Sequence, residues 1–88
     1  MRSVIVTGGF GVLGRAVAEA FRAGGDRVAR IDFAASAPDA NPGGIDIGGV
    51  DLTDPAQAEA ATARVVAEQG GIDVLVNVAG GFVWQTLE

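Results

Sequence analysis

Glycines stand at positions 8, 11 and 14, directly after the run Val4-Ile5-Val6-Thr7. The chemistry such a spacing offers is the holding of a phosphate by main chain. A turn built on glycine brings backbone N–H groups close to an anion, because no Cβ stands in the way. The third glycine lets the following helix pack hard on the strand, and that helix's N-terminus adds free N–H donors and a partial positive charge. The order strand, glycine turn, helix is the one a dinucleotide's pyrophosphate needs. Gly8, Gly9, Phe10, Gly11, Val12, Leu13 and Gly14 are therefore candidate cofactor-binding residues. Three glycines alone serve a turn with no ligand equally well, so the polar residues elsewhere must decide.

Asp32 follows Gly8 by 24 positions, close to the offset of a ribose-binding acid. A carboxylate there can accept hydrogen bonds from both adenosine ribose hydroxyls. It would repel a 2′-phosphate, and neither Phe33 nor Phe10 supplies a cation to offset that. NAD is thus expected in preference to NADP. Asp51-Leu52 could accept from the adenine amino group and pack on the ring, or could form a turn ahead of Asp54. In Asn77-Val78-Ala79-Gly80, the small Ala79 and Gly80 let backbone approach a ribose, and the Asn77 amide can tie neighbouring strands. A plain polar strand end fits the same residues.

These residues need elements that hold them at one edge. Val4–Thr7 reads as a buried strand, short and β-branched. Val12, Leu13, Ala16, Val17, Ala20 and Phe21 have helical spacing, with Arg15, Glu19 and Arg22 facing outward. Gly24-Gly25 stops that helix. Arg27–Ile31 reads as a second strand ending at Asp32. Residues 33–44 hold Pro38 and Pro42, which argues against a long helix, and 45–52 reads as a weak third strand carrying Gly48-Gly49. Asp54-Pro55 starts a helix that runs to about Gln69 and stops at Gly70-Gly71. Residues 72–78 read as another buried strand. The expected fold class is α/β: a partial Rossmann-type parallel sheet, β-α-β-β-α-β, in strand order 3-2-1-4. The glycine turn and the three polar features then fall at the carboxyl ends of strands, beside the switch point.

Composition removes other classes. Of the 88 residues 49% are hydrophobic and 19% charged, and the net charge is −5 with no basic cluster. Nucleic-acid binding is not expected. There is no cysteine and no histidine, which removes disulfides, thiol catalysis and the usual metal ligands. No apolar run approaches the roughly 20 residues of a membrane helix. The first residues read straight into a strand with no signal-peptide pattern, so a cytoplasmic location is expected. A chain of this size with so much apolar surface suggests that further chain covers part of it.

With these residues in place, the chain resembles the N-terminal portion of a short-chain dehydrogenase/reductase. The matching residues are Thr7-Gly8-Gly9-Phe10-Gly11-Val12-Leu13-Gly14, Asp32, Asp51-Leu52-Thr53-Asp54 and Asn77-Val78-Ala79-Gly80. The glycine spacing is similar to that of the family's extended branch, and Val78 stands where a second asparagine is usual. Gly9-Phe10-Gly11 with Ala79-Gly80-Gly81-Phe82 is also similar to dihydropteridine reductase-like members.

The resemblance implies hydride transfer between a nicotinamide and a carbonyl or alcohol substrate, and a homo-oligomer in the full-length protein. It also implies a tyrosine acid/base, a lysine partner and a serine. The chain has no tyrosine and no lysine, and its serines, Ser3 and Ser36, do not match the family's position. No catalytic residue is therefore expected within 1–88. The expectation is a dinucleotide-binding half, inactive by itself, of one larger domain. The alternative is a stand-alone nucleotide-binding or sensing module.

Overall fold

Val4, Val6 and Val28 are fully buried on one sheet face, while Ile5, Ala29 and Ile31 are buried on the other. Strands apolar on both faces must lie inside a sheet covered on both sides. The computed structural model, which describes residues 1–78, has that arrangement. Its elements in chain order are β1 (Ser3–Thr7), α1 (Val12–Ala23), β2 (Arg27–Ile31), β3 (Ile45–Ile47), α2 (Pro55–Gln69) and β4 (Val74–Asn77). The sheet order is β3-β2-β1-β4, and every pairing is parallel. Register runs Thr7 against Ile31 and Thr7 against Asn77, so the exits of β1, β2 and β4 are level.

α1 covers one face. Ala18 packs with Val4, Val6 and Val28, and Val17 and Phe21 extend that cluster toward Val74, Val76 and Val78. α2 covers the other face through Ala61 and Val65, which pack with Ile5, Ala29, Ile31, Ile47 and Val50. The α2 limits match the sequence signals. The Asp54 side chain accepts from the Ala56 N–H, Pro55 opens the helix, and Gly70 closes it at φ 82°.

Three expectations need correction. In α1, Val12 is 80% exposed and Leu13 56%, and Ala16 and Ala20 are exposed too. The buried positions are Gly14 and Ala18. The helix is rolled so that Gly14 presses on the turn, because a Cβ there would lie 2.0 Å from the Gly8 carbonyl oxygen. The third strand ends at Ile47, not Leu52. Gly49, at φ 68°, turns the chain back so that its N–H donates to the Ala34 carbonyl and the Val50 N–H to the Asp32 carbonyl. A Cβ on Gly48 would lie 2.1 Å from the Ala35 oxygen, so this close approach requires glycine. The last strand is Val74–Asn77, shorter than 72–78, and it is half-covered, with Ile72 and Leu75 exposed. α2 packs over β2, and an open cavity separates Leu75 from the α2 residues Ala58 and Thr62. The 33–44 connection forms no helix, as its prolines require.

Candidate functional site

Level strand exits bring the β1–α1 turn, the end of β2 and the segment after β3 together. Gly8 adopts φ 66°, a left-handed conformation costly for any residue with a Cβ. The Gly9 N–H donates to the Ile31 carbonyl at 3.2 Å, which ties the turn to β2. The Gly11 N–H donates to the Gly8 carbonyl at 3.3 Å and closes the turn. Gly11 is the N-cap of α1, so no side chain caps the helix, and its first turn contains no acidic residue. The exposure of Gly11, Val12 and Leu13 leaves this end open. A helix start left in this way offers N–H groups and a positive dipole end to an external anion.

Asp32 is built into the turn. Its Oδ2 accepts from the Phe10 N–H at 2.9 Å and its Oδ1 from the Ala34 N–H at 3.0 Å. Two backbone donors thus fix the carboxylate, and each oxygen keeps acceptor capacity for another partner. Asp32 and Gly8 line a cleft of about 320 Å³ with Phe33, Val50, Asp51, Leu52 and Thr53. Four of the residues singled out in sequence, Gly8, Asp32, Asp51 and Leu52, thus share one space.

Asp51 does part of what a turn residue does. Its Oδ1 accepts from the Thr53 hydroxyl at 2.6 Å and the Thr53 N–H at 2.9 Å. These bonds hold its carboxyl below the usual aspartate range. Asn77 lies outside this cleft. It lines a neighbouring cavity of about 270 Å³ with Thr7, Ile5, Ile31, Leu52, Leu75 and others, and Leu52 borders both spaces. The Thr7 hydroxyl donates to Asn77 Oδ1 at 2.7 Å, which is the interstrand tie expected of this amide. Ala79 and Gly80 lie outside the described residues.

Sequence reasoning missed Arg30. Its side chain is 3% exposed in β2. Leaving a buried guanidinium unpaired would cost several kcal/mol by order of magnitude. Here Nε and Nη2 donate to the two oxygens of Asp46, both at 2.8 Å, and Nη1 donates to Asp39 at 2.7 Å. Asp46, then Asp39, hold Arg30 charged even more firmly than an ordinary arginine, against the effect of burial. The ring of Phe10 lies on this guanidinium, 5.7 Å from centroid to Cζ. A charged residue inside an apolar strand was the available signal, but its partners lie 9 and 16 residues further on.

Among the described residues no helix is long and apolar enough to cross a membrane, and no group of His, Cys, Asp or Glu is clustered to hold a metal.

The profile of short chain dehydrogenases matches residues 2–88. D-threitol dehydrogenase of Mycolicibacterium smegmatis is 39% identical, over 86% of this chain and 32% of that protein. A short chain dehydrogenase structure from Mycobacterium avium superposes with a TM-score of 0.75 at 38% identity, over 90% of this chain and 33% of that one. Ligand-free aldohexose dehydrogenase of Thermoplasma acidophilum gives 0.76 at 34% identity, over 98% and 32%. The chain thus spans about a third of the length of these relatives. The glycine turn, the sheet order and these likenesses agree: the chain belongs to the short-chain dehydrogenase family.

Proposed function

We propose that residues 1–88 form the cofactor-binding part of an NAD-preferring oxidoreductase that acts on a carbonyl/alcohol pair. The observation that carries this reading is the Asp32 carboxylate, held by the Phe10 and Ala34 N–H groups at the rim of the cleft that Gly8 also lines. The turn fits a pyrophosphate. Its close Gly8–Gly14 approach leaves no room for a Cβ, and the start of α1 has no side-chain cap.

In this reading the backbone N–H groups at the start of α1 hold the pyrophosphate, Gly8 and Gly11 let it approach the chain, and Gly9 lets the turn close against Arg30. Asp32 accepts from the adenosine ribose hydroxyls with its remaining lone pairs. Leu52 packs on the adenine, and Asp51 accepts from its amino group through the oxygen that Thr53 leaves free. Asn77, fixed by Thr7, is assigned to the second ribose, and Ala79 and Gly80 are assigned to it on their small size in the sequence alone. The nicotinamide, when bound, supplies or takes the hydride. The same carboxylate sets the cofactor preference, because a 2′-phosphate beside Asp32 would meet a like charge. Arg30 does not offset it, since Asp46 and Asp39 already neutralise that cation. The family's oligomers make a second copy of the full-length protein the expected partner. Two relatives are named for D-threitol and for aldohexoses, so polyols and sugars are the first substrates to try.

Calorimetric titration with NAD and NADP tests the reading. Binding of NAD with clearly weaker NADP binding is expected. Equal affinities would remove the preference, and no affinity for either would remove the function.

A further inference from the structure

We propose that Arg30 is a positioning residue of the cofactor site: clamped by Asp46 and Asp39, its guanidinium seats Phe10 and so sets where the glycine turn and the Asp32 carboxylate stand. The inference rests on the cofactor reading above and extends it to a residue that would touch no ligand.

Arg30 lies in β2 and Asp32 is the first residue after it, two positions on. Asp46 is the register partner of Arg30 across the β2–β3 pair, which sets the two side chains alongside each other. Their two-point contact is the fork geometry specific to arginine. Asp39 adds a carboxylate oxygen to Nη1 and its carbonyl oxygen to Nη2. Asn41 Nδ2 donates to Asp46 Oδ1 and to the Val28 and Ile45 carbonyls, so the acceptor is itself held. The guanidinium plane therefore has little freedom to swing.

The turn rests on this plane. Phe10 is buried with its ring over the guanidinium. Next to it, a Cβ on Gly9 would lie 2.6 Å from Arg30 Cβ, so the turn is already in close contact with this residue. The N–H of Phe10 is the donor that Asp32 Oδ2 accepts. One residue thus receives the arginine on its ring and the aspartate on its amide. A tilt of the ring would move the turn and the carboxylate together.

A residue that only fastens the 33–44 connection would act on cofactor binding independently of Phe10. Calorimetric titration of NAD into the full chain, below each variant's melting temperature, separates the two roles. Arg30→Met is expected to weaken NAD about tenfold, within the range that coupled contacts show. In a Phe10→Leu background, where the ring is gone, the same change should cost less than about twofold. Unchanged affinity of Arg30→Met, or the same loss in both backgrounds, would overturn the inference. If Arg30→Met fails to fold, Arg30→Lys keeps the charge against Asp46 but loses the planar stack. Arg30→Lys, compared in the same two backgrounds, then supports or overturns the inference by the same criterion. A wild-type chain that binds no NAD would remove the cofactor reading and this inference with it. A wild-type chain that binds NAD no better than Arg30→Met would remove this inference alone.

Discussion

Gly14 and Asp32 both bear on the glycine turn, one by close packing and one by a hydrogen bond. Gly14 lets α1 lie against the turn, where any Cβ would collide with backbone that cannot move aside. Gly14→Ala is therefore expected to destabilise the chain by about 1–3 kcal/mol, the usual cost of forced overpacking. Urea unfolding would show it, and a loss below about 0.5 kcal/mol would mean that the helix can shift freely. Asp32 has a structural role through its two backbone bonds, and in the proposed reading these bonds also aim the carboxylate that a ribose would meet. Hydrogen bonds to a charged acceptor are worth roughly 1.5–3 kcal/mol. Asp32→Ala is thus expected to weaken NAD by roughly ten- to a hundredfold, with NADP weakened less. Unchanged NAD affinity in that variant would detach Asp32 from the ribose.

The elements whose ends carry punctuation were legible in sequence. The limits of α2 follow from Asp54-Pro55 and Gly70, and those of α1 from Gly11 and Gly24. Asp54→Ala removes the cap on the Ala56 N–H and should cost about 1 kcal/mol in denaturant unfolding. An unchanged midpoint would show that the cap is replaced by solvent. The third strand was less legible because Gly48-Gly49 is shaped by the distant carbonyls of Ala34 and Ala35. The buried face of α1 was misread for a related reason. Val12 and Leu13 continue the apolar pattern, but Gly14, which has no side chain to count, sets the roll of the helix. Of the site, the glycine turn and Asp32 were legible because their spacing is local to one strand–turn–helix–strand unit. Arg30 was not, since its meaning depends on Asp39, Asp46 and Phe10 meeting in space.

At the scale of the molecule, several carboxylates link the fold to pH. Arg2 holds the Asp26 carboxyl low, Arg30 does so for Asp39, and Thr53 for Asp51. Their folded-state values lie below those of the unfolded chain. The stability they add is complete above about pH 4, the ordinary aspartate value, and is lost as pH falls through the lower folded-state values. Urea midpoints should therefore be flat near neutral pH and fall below about pH 4, less steeply in Asp39→Asn. A midpoint indifferent to acid would contradict the pairing. The net charge of −5 adds no attraction for a dinucleotide, so the proposed binding rests on the local donors at the turn. The most direct test is an amide-resolved NMR titration of the labelled chain with NAD. The predicted shifts centre on residues 8–14, with a second group at Asp32-Phe33 and Asp51-Leu52. Shifts centred instead on Arg2, Phe21 and Asp26, which line a different pocket, or no shifts at saturating NAD, would contradict the assignment of the glycine turn as the phosphate site.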